Sequence, residues 1–287
     1  MTKTFFVGIG AAKGGTSWLA DYLGQHPEVA FSPIKELHYF DAMYCQEHSA
    51  FWNNRWAKIR AKFTKKYQAA PDDKLKQKMR CLDLRLAMVE NPTVYRQYFD
   101  ELISDHHKAF GEITPAYSLL PESGFKAIIE LYPEAKFIFI MRDPAMRYLS
   151  QIQFSQTIRE IQGKDKALDF DPNSKAIEFL ENTSYTARSD YKRTIESLLR
   201  VTTPDNLCAL FYENIFSDVS TRELQKLCNF LKISFQSPNI SRKVNPSNSM
   251  EFEPEVIRRV SDYFSEIYEF VFTYYGNEVP ETWHRPP

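Results

Sequence analysis

An apolar run, Phe5-Phe6-Val7-Gly8-Ile9, leads through Lys13-Gly14-Gly15-Thr16-Ser17-Trp18-Leu19 into the start of an amphipathic helix. No other stretch of the chain constrains the fold as tightly. A strand that feeds a glycine-rich turn and then a helix aims backbone N–H groups and the positive end of the helix dipole at one point, and Lys13 adds a mobile ammonium. Such a turn suits an oxyanion. Two familiar phosphate-binding patterns fit it poorly. In the nucleoside-triphosphate P-loop the lysine follows the last glycine and precedes Ser/Thr, whereas Lys13 precedes both glycines. The dinucleotide fingerprint finds Gly8-Ile9-Gly10 with Gly14 beyond, but Glu28 precedes the short Val29-Ala30-Phe31 run instead of following it as a ribose-binding acid would.

A second element supports the first. Phe137-Ile138-Phe139-Ile140-Met141 is an apolar run of buried-strand length, followed by Arg142-Asp143-Pro144 and the helix-like Met146-Arg147-Tyr148-Leu149-Ser150-Gln151. Proline just inside a helix start is favoured by its fixed φ. Arg142 is therefore expected at the tip of a central strand and Ser150 about two turns into the next helix, both within reach of one phosphate. Strand-like runs at 4–9, 109–113, 136–142 and 206–211 alternate with helical patterns at 16–24, 122–131, 144–160, 186–200, 219–231 and 254–272. That alternation predicts an α/β, doubly wound parallel sheet covered on both faces, with ligands beyond the C-terminal strand ends.

We expect one domain over residues 1–287 with a helical insertion at about 47–108. In the insertion Trp52, Trp56, Ile59 and Phe63 recur at helical spacing among Arg55, Lys58, Arg60, Lys62, Lys65 and Lys66. The aromatic stripe reads as core and the charges as a solvated face. Asp72 or Asp73 is placed to cap the following helix. A formal net charge of −1 gives no global case for nucleic acid as a partner. The four cysteines, Cys45, Cys81, Cys208 and Cys228, are too scattered for a zinc site and read as reduced thiols. No apolar stretch reaches the ~20 residues needed to span a bilayer, so no membrane span is expected and a cytoplasmic location is.

The turn Lys13–Leu19 resembles the 5′-phosphosulfate loop of sulfotransferases, and Arg142-Asp143-Pro144 through Arg147 to Ser150 resembles the 3′-phosphate element of the same family, with the same eight-residue gap from Arg142 to Ser150. Pro33-Ile34-Lys35-Glu36-Leu37-His38-Tyr39-Phe40-Asp41 and Gly111-Glu112-Ile113-Thr114-Pro115-Ala116-Tyr117 are similar to segments of its carbohydrate branch, which includes the heparan sulfate enzymes. The resemblance implies a P-loop-like fold. It also implies 3′-phosphoadenosine 5′-phosphosulfate (PAPS) as cofactor with 3′,5′-ADP as product, no metal requirement, and a hydroxyl acceptor on a carbohydrate or glycoconjugate. Family analogy suggests a bacterial or viral member.

On this reading Lys13, Gly14, Gly15, Thr16, Ser17, Trp18, Arg142 and Ser150 hold the nucleotide, and the loosely matched Arg242 and Lys243 close over its 3′-phosphate. Lys13 also stabilises the leaving group, Glu36 is the general base with a pKa raised by partial burial, and His38 assists it. Lys35, Asp41, Glu112 and Tyr117 are the expected acceptor-side residues, with Glu112 the rival base. Three alternatives stand beside this reading. One is a P-loop nucleotide kinase or NTPase, which would need a lysine where Gly15 stands. The others are a small-molecule, lipid or peptide sulfotransferase sharing the same cofactor site, and a non-catalytic nucleotide-binding module.

Overall fold

The computed structural model describes residues 2–45, 49–161, 171–217, 219–238 and 251–284. The strands are β1 (Thr4–Gly10), β2 (Val29–Phe31), β3 (Ala109–Ile113), β4 (Lys136–Met141) and β5 (Leu207–Phe211). The helices up to the third strand are α1 (Thr16–Gly24), α2 (Phe40–Tyr44), α3 (Ser49–Ala69), α4 (Asp73–Ala87) and α5 (Val94–Asp100). Those that follow are α6 (Glu122–Leu131), α7 (Pro144–Ile161), α8 (Pro172–Glu178), α9 (Thr183–Thr186), α10 (Tyr191–Leu199), α11 (Tyr212–Ile215), α12 (Ser220–Leu231), α13 (Pro254–Tyr263) and α14 (Ser265–Tyr275).

All the strands pair in parallel in one five-stranded sheet of order β2-β3-β1-β4-β5. Every residue of β1 is buried, which is why its sequence is an unbroken apolar run rather than an alternating one. Side chains still alternate between faces. Phe5, Val7 and Ile9 enter one core with Tyr95 and Phe99 of α5, Phe125 of α6 and Tyr191 of α10. Phe6 joins the other, with Trp18, Leu19 and Leu23 of α1, Ile138, Ile140 and Leu224. The chain leaves β1 toward β2 and β3 on one side and later returns to β4 on the other, so the order reverses beside β1. In such sheets that crevice, beyond the strand C-termini, receives the ligand.

Helices α3, α4 and α5 lie within residues 47–108, and their Trp56, Leu82 and Tyr98 share the core that contains β1. Asp72, not Asp73, caps α4, its side chain accepting from Leu75 N–H at 2.7 Å. The helix expected over 186–200 starts only at Tyr191, because Asp190 caps it by accepting from Arg193 N–H at 3.0 Å. The helix expected over 254–272 is interrupted at Phe264, whose N–H is shared between Val260 and Ser261 carbonyls, and then runs on to Tyr275.

Candidate active site

The turn after β1 is closed by backbone contacts. Ala11 N–H donates to Ile140 O of β4 at 2.7 Å, and Gly14 N–H to Ala11 O at 2.9 Å. Gly15 is the N-cap of α1 with φ 87° and no side-chain cap, so the Thr16 and Ser17 N–H groups and the helix dipole are open to an anion, while Trp18 N–H donates to Gly15 O at 3.0 Å. A Cβ on Gly14 would lie 2.9 Å from Ile140 O, and one on Gly15 would lie 2.9 Å from the Tyr212 ring. Only glycine fits both positions.

Cations converge on this turn. Lys13 has its ammonium 4.3 Å from the centre of the Phe154 ring. Burial, with the charges of Arg142, Arg147 and Lys35, pulls its pKa from 10.5 down to about 8. Arg142 donates through Nη1 to Lys13 O at 3.2 Å, and its guanidinium lies 4.8 Å above the Tyr212 ring. Arg147 is fully buried beneath them, donating to Ser189 Oγ at 2.5 Å, Tyr185 O at 2.6 Å and Ala12 O at 3.4 Å. Burial lowers its pKa to about 10. It braces the turn from below. No carboxylate forms an ion pair with these three cations among the described residues. The group that would balance them is an oxyanion.

The tip of β4 is rigid. Tyr191 OH donates to Arg142 O at 2.6 Å, and Asp143 N–H donates to Glu213 Oε1 at 3.0 Å. Asp143 caps α7, accepting from Met146 N–H at 2.9 Å and Tyr268 OH at 2.8 Å. Ser150 follows on α7 and is buried. Trp18 stacks on Tyr22 with ring centres 5.6 Å apart and meets Phe216 edge-on. It is a core residue, yet it also lines, with Tyr22, His26 and Gln236, a cleft of about 260 Å³. Arg242 and Lys243 lie outside the described residues.

The loop before α2 brings a second group of side chains to the turn. Lys35 donates to Ser17 Oγ at 2.8 Å and stands 3.6 Å from Glu36 Oε1. His38 bonds through Nε2 to Glu36 Oε2 at 3.3 Å and through Nδ1 to Asp41 Oδ2 at 2.8 Å. Burial drives the Glu36 carboxyl up, but the hydrogen bond and charge of His38, with Lys35, outweigh it and leave Glu36 below its ordinary value. The expectation of a raised Glu36 pKa is thus corrected. Burial opposes the imidazolium at His38, and its two carboxylate partners overcome that and raise it. Each partner thus favours the charged form of the other.

Glu112 and Tyr117 were expected on the acceptor side, but both are fully buried. Glu112 accepts from Tyr95 OH (2.7 Å), Tyr117 OH (3.0 Å), Thr114 Oγ1 (2.6 Å) and Leu37 N–H (3.2 Å). Burial pushes its carboxyl up. Tyr117 OH in turn accepts from Tyr39 N–H at 3.0 Å. They support the Glu36 loop from beneath it.

Three residues at this site escaped the sequence reading. Trp52 of α3, counted there as core, stacks its ring on His38 at 3.3 Å between centres. Arg85 of α4 donates to the carbonyls of Leu37 and His38. Arg188 lies close enough for its charge to be felt by Asp41 and Glu36. Only the aromatic periodicity that contains Trp52 was a visible signal.

The family model described as "Sulfotransferase family" matches residues 6–237. The chain belongs to the sulfotransferase family. Among solved structures, this sulfotransferase is similar to the crystal structure of a sulfotransferase from Alicyclobacillus acidocaldarius (TM-score 0.66, 19% identity, 99% of this chain and 100% of that one). It is also similar to the sulfotransferase domain from the curacin biosynthetic pathway (TM-score 0.52, 15% identity, 82% and 76%). At those identities the likeness concerns the fold, and these neighbours carry the P-loop-like architecture. A curated relative, the membrane-associated sulfotransferase kil1 of Dictyostelium discoideum, is 27% identical over 151 residues. The match covers 52% of this chain but only 22% of that relative's length. No described helix of this sulfotransferase is long and apolar enough to cross a membrane. The glycine at position 15, where a nucleotide kinase would carry its lysine, accords with the family.

Proposed function

We propose that this sulfotransferase moves a sulfuryl group from PAPS to a hydroxyl of a carbohydrate or glycoconjugate, with Glu36 as the general base, and that it works in the cytoplasm. The observation that carries the reading is the bridge made by Lys35, whose ammonium contacts Ser17 Oγ at 2.8 Å and Glu36 Oε1 at 3.6 Å. It brings the base beside the first turn of α1, where the reacting group of a phosphosulfate would be held.

The residues present fit the nucleotide. Gly14 and Gly15 leave a cradle that a Cβ would fill, the start of α1 has no side-chain cap, and Lys13 and Arg142 supply positive charge with no ion-paired carboxylate among the described residues. The N–H groups of Gly15, Thr16 and Ser17 and the ammonium of Lys13 would hold the 5′-phosphosulfate, Gly14 N–H being taken up by Ala11 O, with Arg142 and Ser150 on the 3′-phosphate and Trp18 beside the adenine. When bound, PAPS supplies an activated sulfuryl group on a phosphate leaving group.

Lys13 Nζ is the protein group that offsets charge developing on the leaving oxygen. Glu36 Oε takes the acceptor proton. A carboxylate held below its usual pKa is a weak base, so it takes that proton late, when the hydroxyl has become acidic by bonding to sulfur. His38 orients Glu36, and Asp41 fixes His38. Glu112 and Tyr117 shape the loop, so the rival-base role of Glu112 is set aside in this reading because no polar atom of it reaches the surface.

The test is calorimetric titration with 3′,5′-ADP, against 5′-ADP, ATP with Mg²⁺, and NAD, followed by mass spectrometry of an oligosaccharide acceptor after incubation with PAPS. Tight binding selective for the 3′-phosphate and a sulfated product are expected. Preference for ATP or NAD would overturn the cofactor. Sulfation of lipid, peptide or phenolic acceptors instead of the oligosaccharide would overturn the acceptor class alone.

A further inference from the structure

Glu36 and His38 both have positive φ, 59° and 49°. Side chains with a Cβ hold that conformation only where the surroundings over-determine it. Part of the determination comes from beneath the loop, where Leu37 N–H donates to Glu112 and Tyr39 N–H to Tyr117. The rest comes from the inserted helices.

Arg85 of α4 donates through Nε to Leu37 O at 2.5 Å and through Nη2 to His38 O at 2.7 Å. It is fully buried, forms no ion pair among the described residues, and leaves Nη1 without a hydrogen-bond partner. Burial lowers its pKa. A guanidinium placed there is costly where an aliphatic side chain would fill the space. What it alone supplies is a planar fork that fixes two successive carbonyls.

Trp52 of α3 holds the other side of His38. The two rings stack at 3.3 Å with planes 16° apart. Trp52 also stacks near Trp56 at 6.3 Å, and Trp56 lies under the Arg85 guanidinium at 5.7 Å. A closed circuit therefore runs from the His38 ring through Trp52, Trp56 and Arg85 back to the His38 carbonyl.

We propose that Trp52 and Arg85 are positioning residues, and that the inserted helices α3 and α4 clamp the Glu36–His38 segment by holding the ring and the backbone of His38 at once. This rests on the reading of Glu36 and His38 as the proton-transfer pair. The charged groups around His38 are Asp41 on α2, Glu36 and Lys35 on its own loop, Arg85 at its carbonyl, and Arg188, whose charge reaches Asp41 and Glu36.

The test reads His38 directly. The chain has six histidines, so the His38 resonances can be assigned by their loss in His38→Gln and titrated by NMR in the full chain. Trp52→Ala is expected to move the His38 midpoint away from its parental value, because opening that face changes both the burial that opposes the imidazolium and its contacts with Glu36 and Asp41. Trp52→Phe brings most of that change back. With PAPS and the oligosaccharide acceptor, kcat falls by about a hundredfold in Trp52→Ala and in Arg85→Lys, which keeps the charge but not the fork. Affinity for 3′,5′-ADP stays at the parental level in both.

A folded Trp52→Ala protein with the parental His38 midpoint and kcat overturns the clamp, as does Arg85→Lys with parental kcat. Should Arg85→Lys fail to fold, Trp52, which is only half-buried, decides the matter. Failure of the proton-transfer reading looks different. Glu36→Gln and His38→Gln would then keep turnover, while the His38 midpoint would still answer to Trp52.

Discussion

Replacing Lys13 with methionine should make the protein more stable while disabling it. The ammonium is partly buried among Arg142, Arg147 and Lys35, and its pKa falls from 10.5 to about 8. At ~1.36 kcal/mol per pH unit that drop bounds the cost of keeping the charge in the fold at about 3 kcal/mol. Partial exposure screens the repulsion, and the contact with Phe154 is favourable, so we expect a gain of about 1–2 kcal/mol for Lys13→Met. The pH dependence gives the sign. Between about 8 and 10.5 the folded protein binds fewer protons at this site than the unfolded chain, so parental stability rises with pH across that window. The advantage of Lys13→Met is therefore full below about 8 and gone above 10.5. Urea denaturation at pH about 7 and about 10 compares the full advantage with what is left after most of it has gone. Turnover with PAPS should fall by about 10²–10³. A variant that is less stable than the parent at neutral pH, or whose stability difference does not change with pH, would refute the account of a lysine held at electrostatic cost.

Glu36→Gln should abolish transfer and leave 3′,5′-ADP affinity intact by calorimetry; retained turnover would move the base role to His38. Arg142→Ala should weaken 3′,5′-ADP about tenfold to a hundredfold, the worth of a charge-assisted contact, and 5′-ADP much less; equal losses would argue against a 3′-phosphate at Arg142. Glu112→Ala strands four buried donors, Leu37 N–H, Thr114 Oγ1, Tyr95 OH and Tyr117 OH. It should cost about 3–5 kcal/mol in urea denaturation. A near-neutral result there would mean that the loop above Glu112 is held some other way.

The strand–turn–helix geometry at the proposed phosphate end was legible in the sequence because its determinants are local. A doubly buried strand, a turn in which only glycine fits and a helix start occupy one short stretch around Lys13, and a buried strand, a short turn and a helix begun by proline do so around Arg142. Strand periodicity and spacing carry that information. The base end is assembled from distant pieces. Glu112 looked available because it stands at a strand end next to Thr114 and Pro115, and nothing nearby in the sequence announces that Tyr95 and Tyr117 enclose it. Arg85 was one basic residue among many, and Arg188 sits in a run without periodicity. Burial alone would raise the Glu36 pKa, and nothing in the sequence shows that His38 lies close enough to reverse the sign. The short strand β2 lay outside the expected strands, since three residues at a sheet edge leave little pattern to read.

The two ends also differ in how their charge is balanced, and that difference fits the proposed chemistry. At the phosphate end Lys13, Arg142 and Arg147 face one another across a turn in which the described residues supply no ion-paired carboxylate. On the proposed function an anion completes that arrangement, and the free protein is less stable in proportion to how well it prepares the site. At the base end His38 lies between Glu36 and Asp41, and its own carbonyl and ring are held by Arg85 and Trp52. Charge there is compensated internally, as a group that must keep its orientation before and after each proton transfer requires. Substitution should therefore act in opposite senses at the two ends: removing the Lys13 charge beside the turn relieves the fold, whereas removing a support of the Glu36 loop strains it. A site whose two ends responded alike would not be divided into an anion-binding half and a proton-transfer half.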